Sequence, residues 1–309
     1  MGSIWKYLSN HVRQDFNVKQ YGFIFIFLAI SIFINYTFDV HDSFLENQKG
    51  FRKFIFHFFY YAGAYYGSLL IISFSKKENT HFGSKDFWIK SLLAITALSL
   101  DSSLPFLRGW IDWWFHPQLQ YWAFKVGVNL ISFFTILFPL LVFNRVYEQN
   151  QNHYYGLSAK RFDTRPYFQM LLIMIPILIA ASFHASFLRQ YPMYKTSSAH
   201  VFLNVPEWFT VIVYELAYGL DFITVELLFR GFMVIGMITV LGRSSVLVMA
   251  VTYCFLHFGK PPGEAISSVV GGYILGVIAF ETKSIWGGII VHLGIAWMME
   301  IIAFTQKSI

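Results

Sequence analysis

The chain has 309 residues, 56% of them hydrophobic and 20% aromatic, with only 13% charged. A soluble domain carries about 25% charged residues, so this composition excludes an ordinary soluble protein and points to a polytopic membrane protein. The net charge is +6, but the basic residues stand in short loops beside apolar runs. That pattern fits the positive-inside bias and argues against a nucleic-acid partner, which would need a basic stripe or an aromatic platform. The single cysteine, Cys254, excludes an intrachain disulfide and any cysteine-based metal cluster.

Residues 1–20 are polar and charged (Lys6, Arg13, Asp15, Lys19). No small-residue cleavage site follows the first apolar run, which therefore reads as an uncleaved first span rather than a signal peptide. Apolar stretches of about 20 residues predict spans at 21–38, 54–75, 86–106, 120–144, 167–187, 207–237, 244–258, 264–281 and 284–304. Lys90 and Asp101 interrupt the third, and the sixth is long enough to be tilted or broken. The expected fold class is all-α, a polytopic membrane helix bundle with about eight or nine transmembrane helices, because lipid-exposed backbone must satisfy its own hydrogen bonds.

The longest polar interruption, 144–167, contains Glu148, Lys160, Arg161, Asp163 and Arg165. It divides the chain into N-terminal helices over 1–166, with no readable chemistry, and a C-terminal helical core over 167–309. Counting Lys and Arg in alternate loops gives 12 on the N-terminal side (residues 1–20, 76–85, 145–165, Arg243, Lys283) against 8 opposite. The expected location is a cell inner or plasma membrane with a cytoplasmic N-terminus.

Within the C-terminal half, Glu226 and Arg230 stand one helical turn apart in an apolar segment, and two histidines, His257 and His292, follow in later apolar segments. Ionisable groups at membrane depth cost roughly 2.5–3.5 kcal/mol each unless paired or wetted, so four together point to a buried polar site. Residues four apart on a helix lie about 40° apart and can touch, so Arg230 is placed to keep Glu226 ionised, and an ionised carboxylate can act as a general base on water. Tyr253 shares the face of His257 and is placed to orient it. The glycines at 287, 288 and 294 predict close helix packing around His292. Three further acids are secondary. Glu264 caps a helix or supplies a second carboxylate, Glu300 marks a membrane boundary, and Glu215 lines a polar cavity.

The order Glu226-x-x-x-Arg230-Gly231, then Tyr253-x-x-x-His257, then His292 in the last span resembles the CAAX protease and bacteriocin-processing family, also called the Abi family, of intramembrane proteases such as the CAAX prenyl endopeptidases. Phe229, the Gly271-Gly272…Gly276 run and Ser284-Ile285-Trp286-Gly287 are similar to that family too, and the resemblance covers about 207–304. The chain departs from the family pattern at three places. Val225 stands where the first of two glutamates is expected, Tyr253 where a phenylalanine is expected, and Ala296 where an asparagine or aspartate is expected.

The resemblance implies an intramembrane endopeptidase, a hydrolase acting on a peptide or membrane-protein substrate in the bilayer. Catalytic roles then fall to Glu226, Arg230, His257 and His292, with Tyr253 and Glu264 in support. In this reading Glu226 and His257 polarise a water, or Glu264 supplies the missing acid, while His292 bonds the oxyanion. A metal-free mechanism is favoured. Glu226, His257 and His292 also form a ligand set suited to zinc. The alternatives are a catalytically silent immunity or scaffold protein, which Val225 and Ala296 favour, and a transporter, which the Pro261-Pro262 break favours. Neither the substrate, nor its prenylation, nor the oligomeric state is legible.

Overall fold

The computed structural model describes residues 2–77, 79–149, 152–158 and 163–308, so Lys160 and Arg161 of the central loop lie outside the described residues. Helix α1 (Gly2–Asp15) precedes the first span, α2 (Val18–Phe38). Asn17 sets that start by accepting from the backbone N–H groups of Lys19 and Gln20, and Asp39 ends it in a left-handed conformation. A π-helical turn, Val40–Leu45, leads into α3 (Gly50–Lys76). Then come α4 (Lys85–Ser103), α5 (Leu107–Trp114), α6 (Pro117–Ser132) and α7 (Phe138–Val146), the last two joined by a second π-helical turn over Phe133–Leu137. Short α8 (Asn152–Gly156) crosses to α9 (Arg165–Ser182), α10 (Ala185–Gln190) and α11 (Ala199–Leu203). The C-terminal core is α12 (Glu207–Glu226), short α13 (Ile238–Leu241), α14 (Ser244–Leu256), α15 (Pro262–Thr282) and α16 (Trp286–Ser308).

Among the described residues, eight helical segments are long and apolar enough to cross a membrane, and α14 is apolar but shorter. The chain is thus an all-α, multi-pass membrane protein. Its outer surface is apolar, with Phe25, Phe33, Phe59, Phe74 and Phe134 turned outward as lipid contact requires. The two charges that interrupt the third span point inward instead. Lys90 is paired with Glu148 and donates to the Gly236 carbonyl at 2.9 Å, and Asp101 accepts from the Thr135 hydroxyl at 2.5 Å.

One continuous core spans both halves of the chain, joining Tyr61, Tyr65 and Leu69 of α3 to Phe229 and to Val246, Val251 and Tyr253 of α14. Helix α14 lies between α3 and α15. Every residue from Ser244 to Phe255 is buried.

The loops rich in basic residues gather at one end. There Lys76 meets Asp15 at 2.7 Å and Ser244 at 3.0 Å, Arg243 meets Glu281 at 2.7 Å, and Trp286 Nε1 donates to Leu157 O at 2.9 Å. At the other end Asn35 Nδ2 donates to Phe258 O at 3.0 Å, and the Tyr36 hydroxyl donates to Lys260 O at 2.7 Å. His257 therefore belongs to the end opposite helix α1.

Candidate active site

Glu226 is the last residue of α12, and the chain then widens into a π-helical turn over Leu227–Phe232, closed by Met233 N–H on Leu228 O at 2.9 Å. Such single wide turns inside helices are frequent at functional sites. The turn carries Arg230 back onto Glu226, with Nη1 at 2.9 Å from Oε1. Both side chains are enclosed, Glu226 at 0% and Arg230 at 1% exposure. A charge pair this deep holds only if other groups share it.

Three groups do so. His292 Nδ1 lies 3.0 Å from the same Glu226 oxygen, and the Tyr253 hydroxyl lies 3.0 Å from His292 Nε2. The Arg230 guanidinium sits over the Tyr253 ring at 4.3 Å from its centroid, a cation–π contact strengthened by the lack of water. A carboxylate can only accept, so His292 Nδ1 carries the proton and Nε2 accepts from Tyr253. Phe222 and Phe229 close the site, with ring centroids 4.4 Å from His292 and 5.0 Å from Tyr253.

The other carboxylate oxygen, Oε2, has no hydrogen-bond partner among the described residues and lies against Gly288 of α16. A Cβ at position 288 would overlap that carboxylate. Gly288 is therefore the room Glu226 occupies. The predicted partner helix at the neighbouring glycines is α9, which brings Tyr167 against Gly287 and Leu171 against Gly294.

His257 closes α14 and donates Nδ1–H to the Tyr253 carbonyl at 2.9 Å. That bond leaves Nε2 with the lone pair. The Tyr253 and His257 ring centroids are 4.5 Å apart, so Tyr253 touches both histidines. Unlike Glu226, His257 is partly exposed. Tyr253 does orient His257, as the spacing predicts, but through its backbone carbonyl. Its hydroxyl serves His292.

Glu264 is drawn elsewhere. Both its oxygens accept from the Tyr191 hydroxyl at 3.0 Å, and Lys260 stands 3.7 Å away. Burial, reinforced by the Glu264 charge, holds the Tyr191 hydroxyl well above its ordinary range, so it stays a donor. Glu300 accepts the Met193 N–H at 2.9 and 3.0 Å, pinning the turn after α10. It is 5% exposed. Glu215 remains on α12, its Oε2 buried without a hydrogen-bond partner among the described residues.

The two apolar departures are packed. Val225 lies against the main core, and Ala296, 1% exposed, lies among Tyr194, Tyr214, Tyr218 and Phe222. As for a metal, both nitrogens of His292 are already engaged. The signals missed in the sequence were Gly288, which read as general packing, and the Tyr253 hydroxyl, which read only as a departure from phenylalanine.

Residues 206–298 match the family model described as type II CAAX prenyl endopeptidase Rce1-like. The match runs from α12 into the first half of α16 and includes Glu226, Arg230, Tyr253, His257 and His292. Searches of curated proteins and of solved structures find no match.

Proposed function

We propose, from the premise that residues 206–298 form a domain of the CAAX protease family, that the chain hydrolyses a peptide bond within the membrane at the Glu226–His292–Tyr253–His257 network. The observation that carries this reading is the unbroken chain of contacts from Arg230 through Glu226 and His292 to Tyr253, with His257 on the same tyrosine.

His257 Nε2 takes a proton from water as its oxygen attacks the substrate carbonyl, and returns that proton to the leaving amine. The Tyr253 O–H donates to the oxyanion once the substrate carbonyl displaces its bond to His292. His292 positions that hydroxyl, and Glu226, held by Arg230, positions His292. This divides the work differently from the sequence expectation, in which Glu226 itself activates water. A carboxylate at 0% exposure, shared by two partners and packed on Gly288, supports a positioning role. Glu264, bound to Tyr191, takes no part in this scheme.

The substrate is a peptide or a membrane-protein segment that reaches His257 from the end opposite α1. With a cytoplasmic N-terminus in a cell inner or plasma membrane, that end faces away from the cytoplasm. Cleavage of a quenched membrane-embedded peptide by the purified protein in liposomes tests the reading. Activity is expected for the wild type and lost in His257→Ala. Activity unchanged in that variant would remove His257 from the reaction. Zinc held by Glu226, His257 and His292 is the competing version, and retention of activity after chelation argues against it.

A second reading rests on one contact and two apolar substitutions. With Tyr253 on His292 Nε2, Val225 in place of an acid and Ala296 in an apolar pocket, the same core serves a catalytically silent peptide binder. Binding of the peptide without cleavage, abolished by His257→Ala, is its signature.

A further inference from the structure

A second cluster of titratable side chains lies where the turn Val40–Leu45 joins α2 to α3, apart from the Glu226 network. One donor atom each from His41, Glu46 and His57 lies within 4.8 Å of the others. His57, 1% exposed, donates Nδ1–H to the Lys53 carbonyl at 2.8 Å, which leaves the lone pair on Nε2. That nitrogen stands 3.5 Å from Glu46 Oε1, so a lone pair faces a carboxylate oxygen. Two acceptors so placed repel unless a proton or a metal cation lies between them.

His41 is held in the same manner. Its Nδ1 bonds Asp42 Oδ1 at 2.8 Å, again leaving Nε2 as the unprotonated nitrogen. A carbonyl or carboxylate anchoring the far nitrogen is the arrangement that fixes tautomer and raises basicity in metal-ligating histidines. Lys53 takes the other Glu46 oxygen at 2.8 Å, which leaves Oε1 toward His57. The Glu46 side chain is 42% exposed, so an ion can enter from solvent.

We propose that His41, Glu46 and His57 bind a divalent cation of the zinc class, with water completing the coordination. Two imidazoles and one carboxylate select such an ion over calcium or magnesium, which prefer all-oxygen sites. The ion ties the turn to α3 and thereby braces the segment after His257. His41 already abuts that segment, since a Cβ at Gly259 would come within 2.5 Å of its Cε1. The Asn35 side chain links them further, accepting from His41 N–H and donating to Phe258 O, each at 3.0 Å.

The test uses the full chain in detergent, stripped with a chelator and titrated with zinc chloride alone, read by calorimetry and by bound-metal analysis. We expect about one zinc per chain and a thermal stabilisation that follows the binding curve. His41→Ala and Glu46→Gln, at partly exposed positions, should each abolish both signals. Asp42→Asn should weaken affinity about 10–100-fold by loosening the His41 anchor. His292→Ala and Glu226→Gln should bind zinc as the wild type does. No saturable binding, or binding that survives His41→Ala and Glu46→Gln but is lost in His292→Ala, overturns the proposal. The readout is metal binding, so it stands or falls separately from peptide cleavage.

Discussion

The Tyr253 hydroxyl joins the two histidine-bearing helices, reaching 3.0 Å to His292 Nε2 while the Tyr253 carbonyl holds His257 at 2.9 Å. A phenylalanine at this position would keep the ring under Arg230 and lose only the bond. Tyr253→Phe therefore separates the two functional readings. For a protease that uses the hydroxyl on the oxyanion, cleavage falls about 10²-fold or more with little change in KM. For a silent site, peptide binding persists and no cleavage is seen in either form. Faster cleavage in the variant would show that the bond blocks His292 rather than serving it.

Gly288 gives a sharper test of the carboxylate's seat. Gly288→Ala puts a methyl group where Glu226 Oε2 lies. We expect about 1–3 kcal/mol of destabilisation from the overlap, measured by unfolding in detergent, together with loss of cleavage. A variant as stable and active as the wild type would mean the carboxylate sits elsewhere.

Removing one partner from a buried pair strands the other. Arg230→Met is expected to cost about 3–5 kcal/mol, because Glu226 is left charged at 0% exposure. Adding Glu226→Gln should return much of that loss, since a neutral amide needs no counter-charge. A double mutant no more stable than Arg230→Met would show that packing, not charge, is what Arg230 contributes.

The N-terminal helix carries a pH dependence. Burial holds the His11 imidazole below its ordinary value of 6.5, and the Arg243 and Lys76 charges add to this against Asp15 and Glu281. The folded state thus favours the neutral ring, which accepts from Arg243 Nη1 at 3.1 Å. Its contribution is complete above pH 6.5 and is lost as pH falls from 6.5 through the lower folded value. Hydrogen exchange over residues 2–15 should accelerate, relative to the intrinsic rate, between pH 7.5 and 5.5. His11→Asn should flatten that change, and equal protection at both pH values in the wild type would rule it out.

Much of this was legible in the chain, for identifiable reasons. Spans announce themselves because lipid-facing surfaces are apolar on every side, and the Glu226–Arg230 pair because four residues make one turn. Lys90 and Asp101 obscured the third span, since sequence records a charge but not that Glu148 or Thr135 waits for it across the bundle. Residues 1–20 read only as polar, yet α1 docks on α15 through long-range contacts that no local pattern carries. The Tyr253–His292 bond was likewise hidden, because it arises from the meeting of segments 39 residues apart. His41, Glu46 and His57 lacked any motif spacing, so only folding brings them together.

Helix α14 has 13 residues, so it is only about 20 Å long at 1.5 Å per residue, against about 30 Å for a bilayer's hydrocarbon. With no lipid-facing side, it has little to hold it in the membrane before its neighbours arrive. During biosynthesis its place must be prepared by α3, made some 170 residues earlier, and completed by α15. The stretch 206–298 consequently lacks α3, one of the two helices between which α14 packs. Expressed alone, it would leave the helix bearing His257 open along one flank, an orphan segment for the cell's membrane quality control to remove.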